Sequence, residues 1–342
     1  MKSAIGVDLG TYAIKCAEVQ HIGSSLQVVK AVSMPNPVGT VIPAQQKDRD
    51  ALISTLKQVF KEYKFPSQNI RIGLPESLVS TKIISIPSLS DAELASAIGW
   101  QAEQYIPIPA EDLQLEYQVL YRPPKQHVSE LMRVLLLGTS KKTVAAFSSM
   151  YADAQLEVTS METQMLALYR LMSMDTVNTT TLVVLFGASS MDMLTVHNKE
   201  LAFVYSSPNA GTVLSRAVER TLGLDAAQSE SYKRTYGLDP AQLEGKVAQA
   251  LAPVFQASLV EIQKAMQYFA GSHQGAVIKR IMFAGGSASL SNLIPTVAQA
   301  IPAEVTLLNP FAYVPLAQGM KIAELDIPSY SIAVSLAAGG MS

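Results

Sequence analysis

The chain has 342 residues, 49% of them hydrophobic and only 16% charged, with a formal net charge of -2. That length exceeds one small domain and points to two lobes, while the apolar bias suits strands covered on both faces. The near-neutral balance argues against a nucleic-acid binder. The lone Cys16 excludes an internal disulfide or a cysteine metal cluster and makes a reducing compartment the default.

The N-terminus runs directly into a strand-like stretch, Ala4–Leu9, with no basic region or cleavage site, so no targeting segment is expected. Gly6-Val7-Asp8-Leu9-Gly10-Thr11 leads into a strand at Ala13–Val19, a turn at His21–Ser25 and a third strand at Leu26–Ser33. Asp48–Tyr63 places Leu52, Leu56, Val59, Phe60 and Tyr63 on one helical stripe. Val79–Ile86 reads as a strand. Ser90-Asp91-Ala92-Glu93 reads as a capping box opening a helix that turns Leu94, Ile98 and Tyr105 inward, with Trp100 expected in the core. Strands at Leu113–Tyr121 and Leu131–Leu137 follow, joined by a hairpin-type connection at Pro123-Pro124-Lys125-Gln126, and Ser140 caps a helix to about Ala154. This order, roughly Pro75–Glu157, predicts an inserted subdomain with helices on one face of a small sheet.

The middle of the chain repeats its beginning. Val183-Val184-Leu185-Phe186-Gly187-Ala188 leads into Met191–Val196, a turn at His197–Lys199 and Glu200–Ser206. With Gly10 laid on Gly187, Val19 falls on Val196 and the turns coincide, which predicts duplicated lobes facing each other. Beyond Ala210-Gly211 lies a helix carrying Glu230-Ser231-Tyr232-Lys233. A long helical region, Pro240–Gly271, follows, which Pro253 should kink or restart. An apolar strand, Ile281–Ala284, enters Gly285-Gly286-Ser287, a helix starts near Ser291, and Ser329–Ser342 reads as a closing core helix. Apolar runs such as Leu182–Phe186 are too short for a bilayer, so a cytoplasmic chain is expected. His21, His127, His197 and His273 show no ligand spacing and are expected at the surface.

Three elements carry candidate chemistry. A carboxylate at a strand end followed by a glycine turn suits a phosphate and its divalent ion, because glycine lets backbone amides come close. Thr11 can donate to a phosphate oxygen, Asp8 can hold magnesium through water, and Lys15 adds positive charge. Alone, the motif also reads as an Asp-capped turn. Gly285-Gly286-Ser287 leaves bare backbone at the carboxyl end of a strand, where open α/β sheets bind ligands; alone, it also reads as a strand-to-helix turn. Glu230 and Lys233 share a helix face; alone, such a pair reads as a solvated surface.

The order of these elements resembles actin, the heat-shock chaperones, the sugar kinases and the division protein FtsA. Further phrases resemble, in order over nearly the whole chain, the PilM family of type IV pilus assembly proteins. They are Gly6–Lys15, Ile83-Ile84-Ser85-Ile86-Pro87 with Leu94, Gln104-Tyr105-Ile106-Pro107-Ile108-Pro109, Leu222-Gly223-Leu224, Tyr236-Gly237-Leu238, Phe283–Leu290 and Asn309-Pro310-Phe311. The resemblance implies an α/β, two-lobed actin-like ATPase fold, with duplicated ribonuclease H-like lobes and an FtsA-type inserted subdomain. It implies a first lobe at 1–74, completed by about 158–178 and 328–342, and an insert at 75–157. The second lobe is implied at 179–215, completed by 277–327, with a helical subdomain at 216–276.

The resemblance assigns ATP with magnesium to Asp8, Gly10, Thr11, Tyr12, Lys15, Gly187, Gly211, Glu230, Lys233, Gly285, Gly286 and Ser287. It puts Asp8 on the metal through water, and Glu162 and Gln164 at the catalytic water. The implied partners are the N-terminal cytoplasmic tail of a PilN-like membrane protein, the pilus motor ATPases, and copies of the chain itself in an oligomer or ring. The implied place is the cytoplasmic side of the inner membrane, which the chain touches only through partners. A groove for the tail is expected along the insert, near Ile98, Tyr105 and Ile106.

The chain departs from the family at two points. Leu185-Phe186-Gly187 stands where Asp-Ile-Gly is usual, and Ala210-Gly211 where paired glycines are usual. A leucine neither ligates magnesium nor polarises water, so hydrolysis is expected to be slow and ATP mainly a structural or switching ligand. The alternatives are a small-molecule kinase of the same fold, for which no convincing catalytic aspartate is visible, and an FtsA-like filament-forming division protein. The second would call for a basic amphipathic anchor, which the C-terminal sequence does not resemble.

Overall fold

Alternating apolar residues pleat the start of the chain into three antiparallel strands, β1 (Ser3–Leu9), β2 (Ala13–Ile22) and β3 (Ser25–Pro35). The computed structural model describes residues 3–124, 130–175, 178–273 and 275–341. Lys125, Gln126 and His127, expected in a hairpin connection and at the surface, lie outside the described residues. Helix α1 (Gln46–Glu62) buries Leu52, Ile53, Leu56, Val59 and Phe60. Strand β4 (Asn69–Leu74) then pairs parallel to β1.

The chain leaves this sheet for β5 (Ser80–Ile86), α2 (Asp91–Glu103), β6 (Leu113–Tyr121), β7 (Met132–Ser140) and α3 (Lys141–Asp153). It returns as β8 (Glu157–Thr163), parallel to β4, which completes the order β3-β2-β1-β4-β8. Helix α4 (Gln164–Met172) follows. Strands β9 (Thr181–Phe186), β10 (Met191–His197) and β11 (Glu200–Ser207) repeat the opening meander. Helices α5 (Gly211–Leu222), α6 (Ala226–Tyr236) and α7 (Lys246–Ser272) precede β12 (Arg280–Ala284), α8 (Leu293–Ala300), β13 (Glu304–Leu307) and α9 (Ser331–Gly339). The second sheet runs β11-β10-β9-β12-β13, so the repeat extends from three strands to five with the same topology. The parallel strands β4 and β8 carry no local signal as plain as the meander, and sequence reading passed over them.

Helices α4 and α9 lie in one apolar core with residues from both sheets, among them Ala17 and Val19 on one side and Val183, Leu185 and Leu194 on the other. Residues 331–338 of α9 are buried. Gly6 lets that helix reach β1, because a Cβ there would sit 2.1 Å from the Ala333 carbonyl oxygen. The two lobes are therefore joined through the α4–α9 pair.

The smaller sheet, β5-β7-β6, is antiparallel. Ser90 caps α2 as expected: its Oγ accepts from the Glu93 amide and the Glu93 carboxylate accepts from the Ser90 amide. Leu94, Ile98 and Ala102 form the inward stripe against Ile84, Val134 and Leu136. Trp100 is a correction: it is 65% exposed, because two residues beyond Ile98 the helix has turned about 200° away from that stripe. Tyr105 is also exposed, since α2 ends at Glu103 and the helical spacing no longer applies to it. The α3 helix, capped by Ser140 as expected, packs Phe147, Met150 and Tyr151 into the first-lobe core rather than onto the small sheet. Pro253 neither restarts nor ends α7; it sits on the exposed side, as does Gln249, whose carbonyl loses its donor there and is open to water.

Candidate functional site

Between the two lobes lies a cavity of about 690 Å³, within the usual range of small-molecule sites. The carboxyl ends of β1, β9 and β12 all reach it. Asp8, Gly10, Thr11, Tyr12, Lys15, Gln164, Gly187, Glu230, Lys233, Gly285, Gly286 and Ser287 line it. Gly211 stands behind this wall, where a Cβ would come 2.4 Å from Ser287 Oγ and 3.1 Å from the Gly187 carbonyl oxygen.

On the first lobe, antiparallel register sets Asp8 opposite Lys15, which is why two residues seven apart in sequence meet. Their charged atoms are 3.9 Å apart. Gln164, the first residue of α4, donates from Nε2 to Asp8 Oδ1 at 2.8 Å, and the Thr163 hydroxyl caps that helix by accepting from the Leu166 amide. Burial pushes the Asp8 carboxyl above the ordinary range, against the pull of Lys15 and of the Gln164 hydrogen bond. Glu162, expected with Gln164 at the catalytic water, is a correction. It is absent from the cavity wall, and its carboxylate is held by both Arg170 Nη atoms at 2.7 Å and by Arg71 at 3.6 Å. Arg71 in turn donates to the Leu336 carbonyl, so this cluster ties β4, β8 and α4 to α9.

On the second lobe, the repeat places Gly187 where Gly10 stands, and the same bond closes both turns. Gly10 donates to the Ala13 carbonyl at 3.1 Å and Gly187 to the Ser190 carbonyl at 2.9 Å. The carbonyl of Gly187 accepts from the Gly211 amide at 3.1 Å and from Ser287 Oγ at 2.9 Å. Gly285 has a φ of +89°, and a Cβ there would lie 2.6 Å from the Phe186 carbonyl oxygen, so this bend requires glycine.

Leu185 lines the cavity as an apolar residue, and the structure adds a group that sequence reading missed. Asp192 lies directly across the ladder from Leu185, is 1% exposed and lines the same cavity. Its Oδ2 accepts from Ser190 Oγ at 2.8 Å and its Oδ1 from Ser206 Oγ at 2.5 Å. Burial pushes this carboxyl upward, with the two serine hydroxyls opposing the shift. The signal was present in the repeat: with Gly10 on Gly187, Lys15 falls on Asp192.

The Glu230–Lys233 pair is not a solvated surface pair. Lys233 is 4% exposed and donates to Glu230 Oε2 at 2.6 Å, Ser215 Oγ at 3.0 Å and the Gly211 carbonyl at 3.1 Å. Burial lowers its pKa while Glu230 holds it up. One residue on, Arg234 reaches across the cavity to the first lobe: its Nη1 is 3.3 Å from the Tyr12 hydroxyl and its guanidinium 5.5 Å from the ring centre.

The donors suit magnesium. Asp8 and Asp192 are hard oxygen ligands whose burial disfavours their charged forms, which a cation would offset. Among the described residues no group of three or more His, Cys, Asp or Glu side chains could cage an ion. Magnesium is commonly held by one or two carboxylates with water and phosphate oxygens, a donor set that Asp8 and Asp192 fit.

The residues expected at a partner groove are split. Ile98 and Ile106 are 5% and 2% exposed and belong to the insert core, so they cannot touch a partner as expected; Tyr105 remains at the surface. The histidines divide too: His21 is exposed, whereas His197 and His273 are half-buried against Phe269. Among the described residues no helix is long and apolar enough to cross a membrane.

A family model described as type IV pilus assembly protein PilM matches residues 6–340. Among solved structures, the chain is similar to one in the PilM–PilN type IV pilus biogenesis complex, at 22% identity and a TM-score of 0.86, covering 99% of this chain and 98% of that one. It is also similar to the ethanolamine utilization protein EutJ from Carboxydothermus hydrogenoformans, at 13% identity and TM-score 0.58, covering 98% and 89%. A third is MreB5 of Spiroplasma citri bound to ADP, at 10% identity and TM-score 0.56, covering 98% and 95%. The fold is the α/β, two-lobed actin-like ATPase fold.

Proposed function

Because the chain belongs to the type IV pilus assembly protein PilM family, we propose that it is an ATP-binding scaffold of a type IV pilus assembly complex. It works at the cytoplasmic face of the inner membrane and takes nucleotide between its lobes. The observation that supports this most is the cavity where two repeat-related hairpins, the Gly285–Ser287 turn and the buried Lys233 meet. Asp8, Gly10, Thr11 and Lys15 take the phosphate chain from one side and Gly187 from the other, with Glu230, Lys233 and Gly285–Ser287 on the adenosine side. Asp8 and Asp192 would hold magnesium through water, and the ion would neutralise charge on the phosphates. Gln164 fixes the Asp8 carboxylate.

ATP acts here chiefly as a structural ligand. Bound to both lobes at a hundred times its Kd, it adds about 2.7 kcal/mol to the closed form. The partner is the N-terminal cytoplasmic tail of a PilN-like membrane protein, in keeping with the PilM–PilN complex to which the chain is similar. Tyr105 and Trp100, exposed aromatics at and just beyond α2 of the insert, are the surface groups offered to it.

The test is calorimetric titration of ATP with magnesium into wild type and Gly286→Val. Gly286 lines the cavity, and a Cβ there meets nothing within 4 Å, so valine takes ligand space without straining the fold. A substitution at Gly10 is less clean, because its Cβ would sit 2.8 Å from the Ala13 carbonyl oxygen and distort the turn itself. Wild type is expected to bind and Gly286→Val to lose binding at an unchanged ligand-free melting temperature. Equal affinities would refute the cleft assignment.

A further inference from the structure

The first hairpin loop is held from outside the cavity by one residue. Where β3 ends, the Asn36 amide donates to the Tyr12 carbonyl at 2.9 Å. Its Nδ2 donates to the Gly10 carbonyl and to the Thr40 carbonyl, each at 2.9 Å, and its Oδ1 accepts from the Val38 amide at 3.0 Å. Asn36 thus spends its polar groups on the loop and on the segment that braces it.

The consequence follows from peptide geometry. In a planar trans peptide the carbonyl and the next residue's N–H point in opposite directions. Turning the Gly10 carbonyl toward Asn36 therefore turns the Thr11 N–H away from it, toward the side on which Thr11 lines the cavity. The second lobe ties down the equivalent carbonyl by other means. Gly187 accepts from the Gly211 amide and from Ser287 Oγ, and the Ala188 carbonyl accepts from the Thr212 amide at 2.8 Å. The same carbonyl is restrained in both halves, by backbone and a serine in one and by the Asn36 side chain in the other.

We propose that Asn36 is a positioning residue for nucleotide: by holding the Gly10 and Tyr12 carbonyls it aims the Thr11 amide at the phosphate chain. The inference rests on the ATP-binding reading of the cleft. It predicts a loss confined to ligands with phosphates, which a general weakening of the fold would not produce.

The experiment compares wild type with Asn36→Ala, which keeps the backbone bond to Tyr12 and removes the two side-chain donors. Affinities for ATP with magnesium and for adenosine are measured by calorimetry, beside ligand-free melting. ATP affinity is expected to fall about tenfold, as for one hydrogen-bonded restraint lost, while adenosine affinity stays within about twofold. Asn36→Ser, which keeps a short acceptor for the Val38 amide and cannot reach both carbonyls, should behave alike. Unchanged ATP affinity, or equal losses for ATP and adenosine, would overturn the proposal, as would failure of both variants to fold. Wild type that takes up no ATP would overturn the cleft reading itself, and with it this one.

Discussion

The two hairpins facing the cavity share a backbone and differ in their charges. Each closes its turn with a glycine amide bonded to a carbonyl three residues on, and each presents a cross-strand pair at the strand end. In the first that pair is Asp8 with Lys15; in the second it is Leu185 with Asp192. The second-lobe carboxylate thus sits one strand over, about 5 Å away, with serine hydroxyls on its two oxygens instead of a lysine and an amide. Hydrogen-bonded pleat and turn tolerate no displacement, whereas a side chain can supply charge from a neighbouring strand. A motif read along one strand therefore understates what the cavity contains.

The hardest test of this asymmetry is Leu185→Asp. It buries a second carboxylate across from Asp192 in a site that is 7% exposed, and ligand-free stability should fall by about 3–5 kcal/mol. Adding Asp192→Asn should recover on the order of 1 kcal/mol by removing the like-charge pair. Urea unfolding of the two variants reports both terms. Single-turnover hydrolysis, expected to be slow in wild type, should rise in Leu185→Asp; rapid wild-type turnover would end the view of ATP as a structural ligand.

A slightly smaller effect tests Glu76, a buried carboxyl near the start of the insert that feels the Asp192 charge of the second lobe. Burial pushes Glu76 from 4.5 up to about 7; the Thr163 and Thr81 hydroxyls pull it down and the Asp192 charge raises it further. A carboxyl raised on folding binds its proton more tightly in the native state. Its contribution is full below the ordinary 4.5 and is lost as pH rises toward 7, on the order of 3 kcal/mol. Urea unfolding at pH 5 and pH 8 should show that decline, and Glu76→Gln should flatten it. A slope unchanged by the substitution would remove Glu76 as its source.

The smallest effect compares the two carboxylates directly. Asp8→Asn should weaken ATP binding in magnesium about a hundredfold, and Asp192→Asn about tenfold, because both Asp192 oxygens are already committed to serines. Calorimetry with and without magnesium decides it. Equal losses would make the two lobes functionally alike despite their different layouts.

The sequence by itself determined what depends on neighbours a few residues apart. The two meanders, their glycine turns, the Ser90–Glu93 capping box and the Ser140 cap follow from alternation, backbone permissiveness and short-range hydrogen bonds. All were readable before any tertiary contact was known. Tertiary structure alone decided the rest, because those outcomes turn on partners brought in from afar. Glu162 looked available until Arg170 and Arg71 closed on it. Tyr105 and Trp100 face out because α2 docks on one stripe and ends before the second phrase begins. Strand β8 joins β4 only after the whole insert has intervened. Ladder register set Asp192 beside Leu185. Lys233 is buried because α6 packs against the Gly211 turn. In each case the charge or face was written in the chain, and its environment was set by packing between segments that no local pattern connects.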